Sequence, residues 1–274
     1  MNFFACIRSL LLLPILFVLS YQAAGQTTND STLQQQTLIS GDDPSQFFTR
    51  LEFFSELQNF KRGSSDFYLN QTTFRSIVKL GKRFTTRLDI PFMYNSLPAP
   101  EGVAKFGVSD ISIRLLGYKF DENPRSALTA SIELSLNTAA SAYTGTGKNI
   151  VLPVISYTSI AKNKKQIIAC VVQQALSFSG DENRSDISFT KVQLIYLRYW
   201  SRKTWSVIAP ETYFDYVIGG TSMNLEGRFV FAPTQRLNLW LQGGTGVFGD
   251  FALRYQWGAE VGSRHYLLRN TIIK

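Results

Sequence analysis

The chain has 274 residues, a formal net charge of +8 and a mean hydropathy of −0.03. A helical membrane protein of this size would be far more apolar, so this hydropathy argues against a bundle of spanning helices. The basic residues are spread along the chain and mixed with Asp and Glu. They do not cluster with stacking aromatics, which argues against a nucleic-acid partner.

The first 25 residues have the three parts of a secretory signal. Arg8 supplies the positive charge, Leu10 to Leu19 form the apolar run, and Ala23 to Gly25 offer a cleavage site with small side chains. An apolar run of about ten residues is too short to span a bilayer, so we expect cleavage at this site. Residues 26–46 are rich in Gln, Thr, Ser and Asp and predict a flexible N-terminal lead.

From Phe47 onward, apolar and polar residues alternate in one segment after another. In Leu128–Leu136 (LTASIELSL) every second residue is apolar, and Glu133 belongs to the polar set. Successive side chains of a strand point to opposite faces, so this segment predicts a strand with one apolar and one polar face. The predicted strands are 47–60, 67–80, 83–94, 107–120, 126–137, 149–160, 166–178, 187–200, 204–216, 220–232, 236–247 and 250–266.

These segments predict an all-β fold, an antiparallel up-and-down transmembrane β-barrel of about 12 strands. The barrel is expected over residues 47–268, with a C-terminal tail at 269–274. A soluble β-sandwich or a lipocalin-like barrel would also alternate. Opposite charges within one polar face, such as Arg87 with Asp89, favour the membrane barrel because they can neutralise one another across a narrow lumen.

Connection lengths and aromatic residues predict two different rims. Short turns are expected at 81–82, 121–125, 161–165, 201–203 and 232–234, and looser loops at 61–66, 96–106, 138–148 and 179–186. Aromatics near segment ends predict a girdle at each rim. The first girdle would contain Tyr118, Phe120, Tyr199, Trp200 and Trp205, and the second Tyr94, Tyr213, Phe214 and Tyr216. Tyr255 is expected to face lipid.

Two glycine-rich motifs have little support as nucleotide sites. Gly244–Gly249 matches G-x-G-x-x-G, but the next residues alternate with a period of two, whereas a dinucleotide site needs a helix there. A glycine-rich hairpin is the favoured interpretation. Thr144–Lys148 is similar to part of a phosphate loop, but Ala142 and Asn149 replace its first glycine and its Ser/Thr. It predicts a mobile outer loop.

Catalytic chemistry has few candidates in this sequence. His265 is the single histidine, and a barrel esterase would need it beside a nucleophilic serine and an orienting polar residue. Ser263 precedes it, and the His-x-Ser arrangement of outer-membrane phospholipases is absent. We predict a rim position for His265 and no catalytic, cofactor or metal site.

The inward charges are the remaining functional candidates. They would line an aqueous lumen, where rings of charge select solutes, or they would pair and plug a narrow barrel; the sequence leaves both open. The candidates for lumen lining are Arg50, Glu52, Arg75, Arg83, Arg87, Asp89, Asp110, Arg114, Glu133, Glu226, Arg228, Arg236, Arg254 and Glu260.

One motif has a family resemblance. Gly107–Leu115 (GVSDISIRL) resembles the G-x-x-D-hydrophobic strand opening of bacterial outer-membrane barrels. These include the transporter-like family named for the phenol-degradation MetA pathway, and Asp186–Phe189 (DISF) is a looser match. The resemblance implies an outer-membrane location and the uptake of small hydrophobic or polar solutes.

We therefore predict a non-enzymatic barrel in the outer membrane of a Gram-negative cell, exported with a cleaved signal peptide. Its predicted role is a passive channel or small-solute transporter. The alternative is a closed structural or adhesive barrel whose outer loops bind a partner. Expected partners are outer-membrane lipid and small solutes, without nucleic acid or cofactor, and the oligomeric state stays open.

Overall fold

The structure is a computed structural model that describes residues 41–62, 65–96, 104–120, 123, 125–249 and 255–267. Among the described residues, no helix has the length and hydropathy needed to cross a membrane. The strands are β1 (Arg50–Arg62), β2 (Ser65–Leu80), β3 (Phe84–Ser96), β4 (Ala104–Val108), β5 (Ile111–Lys119), β6 (Ser126–Leu136), β7 (Lys148–Ile160), β8 (Gln166–Gly180), β9 (Ser188–Tyr199), β10 (Thr204–Asp215), β11 (Gly220–Phe231), β12 (Leu237–Phe248) and β13 (Trp257–Tyr266).

The strands form one closed antiparallel sheet. Consecutive strands pair with each other except β4 and β5, and β1 pairs with β13 from Arg50 opposite Tyr266 to Asn59 opposite Trp257. β4 and β5 both pair with β3 and are separated only by Ser109 and Asp110, so together they make one stave of the wall. Within the described ranges, the 13 strands thus build a barrel of 12 staves, and the predicted up-and-down barrel is confirmed.

Alternation of side chains separates an apolar outside from a polar inside. In β6, Ile132 is 51% exposed on the outer face whereas its neighbour Glu133 is 5% exposed on the inner face. The same parity holds on other strands and leaves large apolar side chains exposed on the outer surface. Examples are Phe53, Leu115, Ile168, Phe229, Leu241 and Val261.

The two rims of the barrel differ. Where β1 begins and β13 ends, the backbone N–H of Leu267 donates to the carbonyl oxygen of Thr49 at 3.1 Å; we call this the N-terminal rim. The turns at 81–83, 161–165 and 200–203 lie there. The opposite rim, the loop rim, has the connections 137–147 and 181–187.

The first hairpin is tighter than the sequence predicts. A loop was expected at 61–66, but β1 and β2 stay paired up to Arg62 opposite Ser65, so residues 63–64 alone lie between the strands. Lys61 lies directly opposite Asp66. Each further pair in this register satisfies backbone N–H and C=O groups of both strands, which accounts for their extension.

Part of the aromatic prediction is wrong. Trp200 and Tyr216 are exposed on the outer face as expected, but Tyr199 and Trp205 are buried inside the barrel. Neighbouring residues of a strand face opposite sides, so Tyr199 and Trp200 cannot belong to the same girdle. Tyr213 also lies inside, where its hydroxyl donates to Glu211 at 2.6 Å. Tyr255 was expected to face lipid, but it is buried and donates to Glu226 at 2.8 Å.

These inward aromatics belong to an apolar cluster inside the wall. It lies near the N-terminal rim on β8 to β12, with Phe54 of β1 packed against it. Its side chains are all buried, so this side of the interior is filled rather than open. The cluster consists of Ile167, Leu197, Tyr199, Trp205, Val207, Val230 and Trp240.

Close packing at Gly262 gives a test of this interior. Gly262 lies on the inner face of β13, where a Cβ atom would overlap the indole of Trp240 and lie 2.7 Å from Cβ of Phe54. We expect Gly262→Ala to lower the free energy of unfolding by about 1–3 kcal/mol, because overpacking forces neighbouring side chains from their preferred rotamers. Urea unfolding in lipid vesicles, followed by tryptophan fluorescence, measures this change.

Gly227→Ala is the matched control. Gly227 lies in β11 and an added Cβ there meets nothing within 4 Å. Its substitution should leave the unfolding midpoint close to that of the parent chain. Equal midpoints for the two variants would contradict the packing described for Trp240.

Candidate functional site in the barrel interior

Charged side chains on the inner face form a connected set of ion pairs that we call the ion-pair belt. It follows the wall from β6 through β1 to β11 and includes one residue that precedes β1. Burial of an unpaired charge is energetically costly, so pairing is what allows so many charges inside the barrel. The belt consists of Asp42, Arg50, Glu52, Arg75, Arg87, Asp89, Arg114, Glu133, Arg228, Glu260 and Arg264.

Glu52 is the centre of the belt. Its carboxylate lies 2.6 Å from Nε of Arg264, 2.7 Å from Nε of Arg50 and 3.5 Å from Nη1 of Arg75. The side chain is 3% exposed. One buried carboxylate therefore joins guanidinium groups of β1, β2 and β13 across the seam where the barrel closes.

The belt continues from Arg75 to β6. Arg75 donates to both oxygens of Asp89, at 2.8 and 2.9 Å, in a bidentate pair. Arg87 lies 3.2 Å from Asp89 and 2.6 Å from Glu133. Arg114 lies 2.7 Å from the other oxygen of Glu133. Each carboxylate here is shared by two arginines, so the guanidinium groups are held in fixed positions on the wall.

Asp42 connects the residues before β1 to the wall. These residues, Gly41–Thr49, form what we call the N-terminal segment. The Asp42 carboxylate accepts from Arg228 at 2.9 Å, from Arg264 at 3.1 Å and from the indole N–H of Trp205 at 2.9 Å. A side chain at Gly41 would overlap the Arg264 guanidinium, so the backbone passes directly against it. The N-terminal segment is thus held inside the barrel.

Electrostatics keep Asp42 charged. Burial opposes ionisation, but Arg264 and Arg228 outweigh it and hold the pKa of the Asp42 carboxyl below its usual value. A depressed pKa contributes stability above the unfolded-state pKa, and this contribution is lost only as the pH falls through the depressed value. The anchor therefore persists across the neutral and mildly acidic range.

The flexible lead predicted over residues 26–46 includes residues that the structure describes and residues that it does not. Residues 26–40 lie outside the described residues, whereas Gly41 to Gln46 make the contacts above or fold locally. Asp43, for example, accepts from the backbone and hydroxyl of Ser45 and from the Gln46 amide. Nothing in the composition of this stretch indicates a buried anchor, since an isolated Asp has no periodic signal.

A second polar group lies on β9 to β12. Glu226 accepts from the Gln242 amide at 2.9 Å and from Tyr255, and Gln242 accepts from Arg228 at 2.7 Å. Glu211 accepts from Gln193 at 2.5 Å and lies 3.6 Å from Lys191. Arg228 and Gln242 therefore connect this group to the ion-pair belt.

Asp110, a candidate for lumen lining, contacts the loop between β6 and β7. At the break between β4 and β5, its carboxylate accepts from the backbone N–H groups of Ala139 and Thr146 and from the Thr146 hydroxyl at 2.8 Å. Thr144, which belongs to the same loop, is fully buried. Residues 144–148, predicted as a mobile outer loop, are thus attached to the wall by hydrogen bonds.

The other candidates for lumen lining lie at the edge of the described structure or beyond it. Arg83 and Arg236 are exposed in turns at the N-terminal rim, and Arg254 lies outside the described residues. His265 is exposed on the outer face of β13, with Leu51 and Leu237 as its cross-strand neighbours. The Gly244–Gly249 motif lies largely within β12, in agreement with a strand and not a nucleotide loop.

Sequence reasoning missed Arg264, although a signal for it existed. Glu260 was predicted to face inward, and Arg264 lies four residues later in the same strand, so strand parity puts both on the inner face. Its guanidinium lies 5.2 Å from the centre of the Trp240 ring, as does that of Arg228. Trp240 thus contacts both arginines that hold Asp42.

The position of Glu52 predicts a large energetic effect. We expect Glu52→Gln to lower the free energy of unfolding by about 3–5 kcal/mol, because it leaves the buried guanidinium group of Arg264 and the partly buried groups of Arg50 and Arg75 short of one negative charge. Urea unfolding in lipid vesicles gives the value. Glu182→Gln, at an exposed position in the 181–187 connection, is the control and should be neutral. A neutral Glu52→Gln would contradict the central role of this carboxylate.

Comparison with known proteins places this fold among outer-membrane barrels. No family model matches the sequence, and no curated protein matches it. An outer membrane channel from Pseudomonas putida F1 is similar in structure with a TM-score of 0.68 at 15% identity, over 83% of this chain and 99% of that one. The NanC porin has a TM-score of 0.52 at 9% identity over 80% of this chain and all of that one. The KdgM porin has a TM-score of 0.52 at 7% identity, over 79% and 98%. At these identities the likeness shows the fold alone.

Proposed function

We propose that this protein is an outer-membrane channel for small solutes whose passage is narrowed by the N-terminal segment. The observation that carries the proposal is a closed 12-stave barrel with an apolar outer surface and a charged inner face. A bilayer requires this distribution, since the outside meets acyl chains and the inside meets water. The similarity to an outer membrane channel over 99% of that chain supports the same role.

Export and location are parts of this proposal. The signal-like residues 1–25 support secretion with cleavage, although they lie outside the described residues. A barrel that faces lipid needs the outer membrane as its destination in a Gram-negative cell. We propose no enzymatic role, because the cross-strand neighbours of His265 are leucines, which cannot orient an imidazole.

A closed structural barrel is the second candidate, and one observation favours it. Asp42 attaches the N-terminal segment to Arg228 and Arg264 inside the barrel, which reduces the space for a passing solute. The channel proposal requires that this attachment open, or that solutes pass beside it. The two candidates therefore differ in what happens when the Asp42 contacts are lost.

Single-channel conductance in planar bilayers tests the difference. We expect small conductance from the parent chain and larger, more frequent openings from Asp42→Asn. Loss of the charge-assisted hydrogen bonds removes about 1.5–3 kcal/mol from docking of the segment, or roughly 10- to 150-fold in the docked-to-undocked ratio.

Asp43→Asn is the matched control because its hydrogen bonds go to Ser45 and Gln46 within the same segment. Its conductance should equal that of the parent. Absence of conductance from both the parent and Asp42→Asn, in protein that migrates as a folded barrel on unheated gels, would support the closed structural barrel instead.

A further inference from the structure

A cavity of about 210 Å³ lies between the N-terminal segment and the inner wall. Residues from Gly41 to Phe47 form one side of it, and inward side chains of β1 to β8 form the other. An enclosed apolar cavity of about 150 Å³ is enough to hold benzene. The space is therefore suited to a molecule of about ten non-hydrogen atoms rather than to a chain of sugars.

The barrel-wall side of this cavity is cationic, whereas the N-terminal segment contributes Asp42 and Asp43 to the lining. The Asp42 carboxylate is bound by Arg228 and Arg264, and the Asp43 carboxylate accepts from Ser45 and Gln46.

Arg50, Arg75, Arg87 and Arg114 all line the barrel-wall side of the cavity. The carboxylates that pair with them, on Glu52, Asp89 and Glu133, do not line the cavity and have side chains 3–9% exposed. The carboxylates thus pair with the arginines on the side away from the cavity, and the arginines line the cavity itself. Guanidinium matches carboxylate in charge and in planar geometry.

One guanidinium group of the cavity wall lacks a full set of hydrogen bonds. Nε of Arg87 has no hydrogen-bond acceptor, although it lies 3.2 Å from an Asp89 oxygen. A buried cation without full compensation is costly. A carboxylate beside Arg87 would supply further negative charge at this position.

The rest of the lining is apolar or hydroxylic. Ile77, Val154, Val171 and Phe47 contribute apolar surface to the same cavity. The hydroxyls of Thr129 and Ser156, 2.6 Å apart, lie on the wall opposite the segment. A fully hydrated inorganic anion would gain nothing from the apolar part, whereas an organic anion with an apolar body would use both parts.

We propose that this cavity binds a small organic monocarboxylate with an apolar body, about the size of benzoate, with its carboxylate toward Arg87 and Arg114. The inference rests on the proposed channel function, because it names the chemical class of the solute. Binding at equilibrium and conductance are separate measurements, so each claim fails on its own. Conductance without benzoate binding would support the channel proposal and overturn this inference. Benzoate binding without conductance would support the binding site and overturn the channel proposal.

Isothermal titration calorimetry of the full chain in detergent provides the test, with benzoate, the neutral isostere benzamide and inorganic phosphate as probes. We expect saturable one-site binding of benzoate, and affinities for benzamide and phosphate that are lower by about tenfold or more, since each lacks either the charge or the apolar body. Absence of saturable benzoate binding would overturn the proposal, and so would equal affinity for either comparison probe.

Two pairs of variants locate the site. Arg114→Gln should weaken benzoate binding by about tenfold or more through loss of charge-assisted hydrogen bonds, whereas Lys191→Gln, an interior cation that does not line the cavity, should leave the affinity unchanged. Val171→Phe fills the cavity and keeps every ion pair, so it should abolish binding even if Arg114→Gln does not fold. Its neighbour Val172 faces outward, and Val172→Phe should have no effect. Unchanged binding in Val171→Phe would place benzoate elsewhere and overturn the inference.

Discussion

Compensation of buried charge is the constraint on which the interior depends. A guanidinium group removed from water without a partner is strongly destabilising, and this barrel holds six within one belt. The belt meets the constraint by sharing carboxylates: Glu52 joins three strands, while Glu133 holds two arginines. Positions on different strands are therefore energetically coupled, so a substitution at one position changes the stability of the ion pairs at neighbouring positions.

The interior divides into two kinds of surface. The wall from β1 to β6 carries most of the ion-pair belt, whereas β8 to β12 carry the apolar cluster near the N-terminal rim. Trp240 lies at the boundary, where it packs in the apolar cluster and faces the guanidinium groups of Arg228 and Arg264. Near the N-terminal rim, a solute inside this barrel would meet charge on one side and the apolar cluster on the other, which favours amphipathic molecules over uniformly polar ones.

Much of the fold could be predicted from the sequence because alternation is a local signal. Leu128–Leu136 shows which residues face each side, and the same rule gives the position and parity of most staves. Local rules failed where two of them competed. Tyr199 and Trp205 fit a girdle by composition, but strand parity puts them inside. Lys61 and Asp66 fit a polar loop by composition, but their backbones are paired in a hairpin.

Much of the candidate site could not be predicted, because it depends on contacts between distant parts of the chain. The inward direction of Arg87 and Glu133 follows from parity, but their pairing across 46 positions does not. Asp42 is the extreme case, since it precedes the first strand and no periodicity includes it. Its partners come together around it only in the closed barrel.

The distance in sequence between Asp42 and its arginine partners affects the order in which the chain folds. Asp42 bonds to Arg228 and Arg264, which lie 186 and 222 positions further along the chain. Contacts of such long range carry a loop-closure cost, so we expect them to form late in folding. The binding pocket for Asp42 exists only after β11 and β13 have joined the wall, so the earliest described residues of the chain are among the last to reach their native places. Their docking is therefore a signature of completed closure.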